Sequence, residues 1–173
     1  MRISRIGLSA LLLALVCATI FGGSRAFSAM AQDTAANAGA APHRAAGSFT
    51  VKMTPQAEEK ADGVTIGRIL LDKHYSGGLV ATGSGPMLTA MTPVEASAGY
   101  VLIERVAGTL DGRAGGFVLQ HHGILDRGRP SQIVVIVPDS GTGALKGIAG
   151  TMTISIAPDG RHDYELRYTL PAG

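Results

Sequence analysis

The stretch from residue 100 to residue 150 alternates short apolar runs with glycine-rich turns, and no run in it has the length or the period of a helix. Its strongest segments cover 100–107, 116–121 and 132–137. Short runs of this kind, with apolar residues at every second position and Gly or Asp between them, are typical of strands joined by tight turns. The chain is therefore expected to fold as an antiparallel all-β domain.

The same alternation extends on both sides of this stretch. Further strand-like segments cover 49–53, 64–71, 75–81, 87–91, 150–156 and 162–170. Asp-Gly steps at 111–112 and 159–160 predict hairpins, and the one helix candidate, 55–62, is short and polar. Eight or nine sequential strands have no exposed edge when the sheet closes, so an eight- or nine-stranded barrel is expected, with a β-sandwich as the alternative.

The first 31 residues have the pattern of a signal peptide. Two arginines precede an apolar run over 6–21, and small residues occupy positions −3 and −1 of a cleavage site after Ala31. Lipid attachment at Cys17 is less favoured, because a valine precedes it. We expect a secreted or periplasmic protein, with an alanine-rich flexible tether over 32–47 and the barrel domain over 48–170.

Cleavage after residue 31 would change the charge of the chain. Three of the 15 basic residues lie in the leader, which leaves 12 against 13 acidic ones and a net charge of 12 − 13 = −1. A near-neutral surface argues against nucleic acid as a partner. The single cysteine is also removed, so the mature chain has neither a disulfide nor a thiol nucleophile.

Four glycine-containing motifs resemble the DUF3224 family, over roughly residues 49–170. The motifs are YVLIER at 100–105, GTLDGRAGGFVLQHHG at 108–123, VPDSGTGALKGIAG at 137–150 and DGRHDYELRY at 159–168. The resemblance implies a compact barrel akin to the allene oxide cyclase-like barrels, which commonly assemble into oligomers. It implies no settled activity.

Glu104 is the first candidate catalytic residue. It shares a strand face with Tyr100, whereas Arg105 lies on the opposite face, so one ionisable group lies among apolar neighbours whichever face is internal. Desolvation would raise the pKa of such a carboxyl group, which suits a general acid or base. The alternative is a charge paired across strands or held at the barrel mouth.

Asp111 and Asp139 are the other candidate catalytic carboxylates. Two carboxylates brought together, within one chain or across a dimer, could activate water as in aspartic peptidases. The alternative is that each one accepts backbone hydrogen bonds in its turn. Ser140 follows Asp139 without the Gly-x-Ser-x-Gly context of a nucleophile, and it is a candidate ligand contact instead.

His121 and His122 are neighbours on one strand, so they point to opposite faces and cannot bind one metal ion together. No metal site and no cofactor are therefore predicted. His121 and Gln120 are candidates for the mouth of the barrel, and Tyr100 and Arg105 for contacts with a ligand. The chain has no tryptophan, so any cavity is expected to be mostly aliphatic.

Three functions remain open from the sequence. The first is the binding of a small apolar or amphipathic ligand. The second is a carboxylate-dependent hydrolase or isomerase that uses Glu104, Asp111 or Asp139. The third is self-assembly into a homo-oligomer through residues 133–137 (Ile-Val-Val-Ile-Val), which are apolar on both faces of their strand and need a second layer to cover the outer one.

Overall fold

The computed structural model describes residues 42–171. Within this range the chain forms strands and turns without a helix. The strands are β1 (His43–Ala61), β2 (Val64–Gly77), β3 (Leu79–Met91), β4 (Ala98–Leu110), β5 (Arg113–Asp126), β6 (Arg129–Ile136), β7 (Thr142–Gly143), β8 (Ala149–Ile156) and β9 (His162–Thr169). The predicted signal peptide, Cys17 and residues 32–41 of the predicted tether lie outside the described residues. No helix in the described part of the chain has the length and hydropathy needed to cross a membrane.

Eight of the strands close into a barrel. The sheet order is β4-β3-β2-β1-β9-β8-β6-β5-β7, and β4 also pairs with β5. Every pairing is antiparallel, and the two-residue β7 lies outside the ring as an extra partner of β5. The predicted barrel is confirmed.

The hairpins depend on residues that accept a left-handed backbone. Asp111 and Gly112 have φ of 47° and 78° in the β4–β5 turn, which fits a two-residue connection in which both residues need positive φ. Asp62-Gly63 and Arg127-Gly128 have the same pattern between β1 and β2 and between β5 and β6. Gly160, with φ of 86°, lies between β8 and β9, so both predicted Asp-Gly hairpins form.

The structure differs from the sequence prediction at both ends of β1. The helix candidate 55–62 is strand up to Ala61, because its residues pair with β2 as far as Val64; the register shifts at Pro55, where a bulge tolerates proline. The last five residues of the predicted tether, 43–47, are also strand, because they pair with β9. Tertiary pairing overrides the weak local preference of both segments.

The core has two parts, one toward each end of the barrel. A large cluster includes Phe117, Leu119 and Leu166, together with Leu145 and Ile148 from the connection between β6 and β8. These two loop side chains are almost completely buried, so the connection plugs that end, which we call the plugged end. The smaller cluster lies toward the opposite end, which carries the β1–β2, β3–β4 and β5–β6 turns; we call it the hairpin end. Its members are Ile69, Leu71, Met87 and Leu102.

Candidate functional site

A cavity of about 60 Å³, partly open to solvent, lies in the half of the barrel toward the hairpin end. With roughly 15 Å³ needed per water molecule, it holds about four waters, or a fragment of about four to six non-hydrogen atoms. Seven of its lining side chains are apolar and five are polar. They are Phe49, Val51, Met53, Leu71, Met87, Leu102 and Ile154, with Lys73, Tyr100, His121, Gln132 and His162.

A buried ion pair lies at the polar part of this cavity. Lys73 on β2 and Glu104 on β4 point inward, and Lys73 Nζ is 2.7 Å from Glu104 Oε2. The two strands are separated by β3, where Gly83 leaves room for the carboxylate: a Cβ at this position would lie 2.0 Å from Glu104 Oε1. The missing side chain at Gly83 therefore allows the pair to form across three strands.

Two further side chains contact the Glu104 carboxylate. The Tyr75 hydroxyl donates a hydrogen bond to Oε1 at 2.7 Å and accepts one from Lys73 Nζ at 3.3 Å. His121 Nε2 lies 2.9 Å from Oε2. Its direction does not meet hydrogen-bond geometry, so Nε2 contacts the carboxylate but has no hydrogen-bond partner in the described structure. Both carboxylate oxygens are thus occupied.

The environment of Glu104 lowers its pKa to about 2. Burial acts in the opposite direction and is the largest single effect, but the charge of Lys73 and the contacts with His121 together outweigh it. The expectation of a raised pKa was wrong, because it considered burial alone and left out the buried lysine on β2. Burial is also the main reason that the pKa of His121 is lowered from 6.5, with the Lys73 charge acting in the same direction and Glu104 opposing both.

This geometry gives Glu104 a supporting position. Its exposed fraction is 0%, and it does not line the cavity, whereas Lys73 and His121 do. A carboxylate that stays ionised down to about pH 2 and has both oxygens occupied is a poor proton donor or acceptor near neutral pH. Glu104 instead holds Lys73 and His121 against the cavity.

Tyr100 supplies a hydroxyl group to the cavity. Its ring covers Gly123, where a Cβ would lie 2.2 Å from Tyr100 Cε1. Its oxygen accepts a hydrogen bond of 2.6 Å from Gln132 Nε2. Burial raises the pKa of Tyr100 to about 12, so the hydroxyl keeps its proton at neutral pH. Tyr100 and His121 are the two predicted ligand contacts that the structure places at the cavity.

The other predicted ligand contacts lie elsewhere. Arg105 and Gln120 are exposed on the outer face of the barrel. Ser140 ties the loop after β6 to β5, since its hydroxyl donates to Val137 O at 2.6 Å and accepts from Val118 N at 3.0 Å. None of the three lines the cavity.

Neither Asp111 nor Asp139 lies beside Glu104, because Glu104 is buried in the barrel and both aspartates are exposed. Asp111 lies seven residues after Glu104 along β4, a separation of about 23 Å at 3.3 Å per residue. It is exposed in its turn and accepts a 2.7 Å hydrogen bond from the Tyr168 hydroxyl. Asp139 is exposed, with φ of 59°. Among residues 42–171, no group of three or more His, Cys, Asp and Glu side chains is arranged to hold a metal ion.

The sequence reading missed Lys73, Gln132 and His162. The signal for Lys73 was available, because Ile69, Leu71, Lys73 and Tyr75 follow one another at a period of two and the flanking members are apolar or aromatic. A lysine on the inner face of a strand requires a buried counter-charge, and Glu104 is the only acidic residue on the face it shares with Tyr100.

Comparison with known proteins identifies the family. The family described as "Protein of unknown function (DUF3224)" matches residues 45–168. A crystal structure of a DUF3224-family protein of unknown function from Shewanella oneidensis MR-1 is similar to this chain, with 47% sequence identity and a TM-score of 0.72. The similarity covers 76% of this chain and 100% of the Shewanella chain. No curated protein matches the chain.

Proposed function

The chain belongs to the DUF3224 family, whose function is unknown, and we propose that its barrel binds a small, mostly apolar organic molecule that has one polar end. The cavity carries this proposal. Seven apolar side chains form most of its wall, and the polar side chains Lys73, Tyr100 and His121 belong to the same wall. A mostly apolar pocket with a few polar groups is the usual form of a small-molecule site.

The dimensions of the cavity limit the ligand. A fragment of about four to six non-hydrogen atoms fills it, which is far smaller than the pockets of roughly 300–1,000 Å³ that hold drug-sized molecules. A longer molecule would extend through the opening. β1 contributes Val51 and Met53 to the cavity wall beyond Phe49, where its pairing with β9 ends.

Nuclear magnetic resonance titration of the full-length chain with 1-chlorobutane tests the proposal. We expect the backbone amide signals of the strands around Leu71, Leu102 and His121 to shift. Val51→Phe should abolish these shifts, because it fills the cavity. Val101→Phe is the matched control, since Val101 is exposed on the outer face, and it should leave the shifts unchanged.

Two results would count against this function. One is the absence of shifts at the cavity amides at millimolar ligand. The other is an equal loss of binding in Val101→Phe and Val51→Phe, which would place the probe on the outer surface. Native mass spectrometry of the purified protein adds an independent readout, because it reports any co-purified molecule and the number of subunits together.

We also propose that the protein works outside the cytoplasm. The support is the charged, apolar and small-residue pattern of its first 31 residues. Mass spectrometry of the protein after expression in a bacterial host should give a mature chain that begins at Gln32. An uncleaved chain retained in the cytoplasm would contradict the proposal.

A further inference from the structure

We infer that the polar end of the ligand is an uncharged acceptor oxygen, the carbonyl group of a ketone, aldehyde, ester or amide, held by Lys73 and Tyr100. This inference rests on the proposed function and narrows it. It depends on which hydrogen-bonding groups of the cavity wall already have partners, and on the net charge of the buried cluster.

Both side chains have a donor to spare. The Lys73 ammonium group has three N–H bonds, and its hydrogen bonds go to Glu104 and to Tyr75. The third N–H has no acceptor among the described residues, and Nζ lies 4.8 Å from the centroid of the Phe49 ring, which also lines the cavity. The Tyr100 oxygen accepts from Gln132, so its own O–H has no acceptor among the described residues.

His121 orders this part of the wall and offers no free donor. Its exposed fraction is 1%, and Nε2 lies 2.9 Å from Glu104 Oε2. A lone pair there would be repelled by the anion, so Nε2 carries the proton and is turned to the carboxylate rather than to the cavity. The donors left for a ligand oxygen are therefore those of Lys73 and Tyr100.

The net charge of the cluster favours a neutral ligand. Lys73 carries +1 and Glu104 carries −1, and burial keeps His121 neutral at pH 7 by lowering its pKa. A carboxylate ligand would add one uncompensated negative charge to a buried site, and an ammonium ligand would face Lys73. Unpaired buried charges are strongly disfavoured, whereas a carbonyl oxygen accepts the donors without adding charge.

Four probes of similar size separate these possibilities: butan-2-one, butanoate, butylammonium and 1-chlorobutane. Each is titrated into the full-length chain at pH 7 and followed by nuclear magnetic resonance. Butan-2-one should bind about 10-fold more tightly than 1-chlorobutane, which corresponds to one or two hydrogen bonds to the cavity donors. Butanoate and butylammonium should bind more weakly than the ketone.

Substitution of tyrosine tests the role of the donors. Tyr100→Phe should lower the affinity for butan-2-one several-fold and leave that for 1-chlorobutane unchanged. Tyr168→Phe makes the same chemical change at the plugged end, where the Tyr168 hydroxyl donates a hydrogen bond to Asp111. This variant should leave the affinity for both probes unchanged. The combination shows that a lost hydroxyl matters only at the cavity.

The outcomes distinguish the inference from the proposed function. Equal binding of all four probes at the cavity would preserve the binding function and overturn the inference, as would tighter binding of either ion. Cavity shifts with butan-2-one that Tyr100→Phe leaves unchanged would also overturn it. No shifts at the cavity with any probe would remove the proposed function itself.

Discussion

The inner and outer faces of strands β2–β6 each depart from the usual distribution of side chains, because ionisable groups lie within the apolar core and apolar groups lie on the surface. Inside, Lys73, Glu104 and His121 are all buried. Outside, Leu88 pairs with Val101, and the row continues through His122 to Ile133; Val101 and Ile133 are 52% and 56% exposed. The outer face of β8, β9 and β1 is polar instead. Its exposed residues include Thr151, Thr153, Ser155, Arg167, Thr50 and Lys52.

The difference shows that the two faces obey different constraints. Glu104 contacts both Lys73 and His121 inside the barrel, so the position of each of these side chains depends on the others. The exposed apolar side chains are supported by cross-strand neighbours alone, so each can be changed with little effect on folding. Charge inside this barrel therefore specifies a site, whereas apolar surface outside marks a face that a partner can cover.

The strongest test of the inner face is Lys73→Met. It leaves the Glu104 carboxylate buried without its counter-charge, and we expect the free energy of unfolding at pH 7 to fall by about 3–5 kcal/mol. Urea unfolding measures this loss. Arg105→Met is the matched control on the outer face, and it should change stability by no more than about 0.5 kcal/mol.

A double variant separates charge from packing. Lys73→Met combined with Glu104→Gln removes both charges and keeps a side-chain oxygen that accepts the hydrogen bond from the Tyr75 hydroxyl. Most of the lost stability should return, because replacing both members of a buried pair is often close to neutral. A double variant as unstable as Lys73→Met alone would mean that packing around Lys73, rather than the ion pair, stabilises the inner face.

As the pH falls, the buried cluster on the inner face should lose its contribution to the free energy of unfolding before the outer face loses any. The pKa of Glu104 is about 2 in the folded protein against 4.5 for a free side chain, so its stabilisation is complete above about pH 4.5 and is lost as the pH falls toward 2. The loss amounts to about 3 kcal/mol. His121 adds to this loss of stability. Its pKa is lowered in the folded protein, so below about pH 6.5 its imidazole takes up a proton in the unfolded chain but not yet in the folded one.

Urea unfolding at a series of pH values checks this linkage. The difference between the native chain and the Lys73→Met, Glu104→Gln double variant reports the buried cluster of Lys73, Glu104 and His121, because surface pairs such as Arg44 with Glu165 are present in both proteins. That difference should shrink steadily between pH 4.5 and pH 2. A difference that stays constant with pH would show that folding does not lower the pKa of Glu104.

The fold was accessible from the sequence because period-two alternation and Asp-Gly turns are local signals. They gave eight or nine strands and grouped Glu104 with Tyr100 on one face of β4, but they did not show which face is internal. The site was only partly accessible, because it joins side chains from four strands. Glu104, Tyr100 and His121 were found from their own strands, but the pairing of Glu104 with Lys73 depends on sheet order and on the space left by Gly83.

Self-association through the outer apolar face stays a prediction. Ile133 and Val135 point outward from the run 133–137, next to the apolar row on β3 and β4, while Val134 and Ile136 fill the core. If this face is the interface, Ile133→Lys should raise the dissociation constant about 30-fold, or about 2 kcal/mol. Sedimentation measures it, with Thr153→Lys on the polar half as the control. A native chain that is monomeric at micromolar concentration would contradict the prediction.

The smallest expected effect is that of Ile103→Thr on an outer face that no partner covers. Ile103 is half-exposed, so the free energy of unfolding of a monomer should fall by no more than about 0.5 kcal/mol. The neighbouring Leu102→Ala should cost about 2–5 kcal/mol, because Leu102 is buried in the core. If copies cover the outer face, the loss in Ile103→Thr should grow with protein concentration, because association stabilises only the folded state. Urea unfolding of both variants at two concentrations a hundredfold apart therefore reports whether the exposed apolar side chains contribute to folding or to assembly.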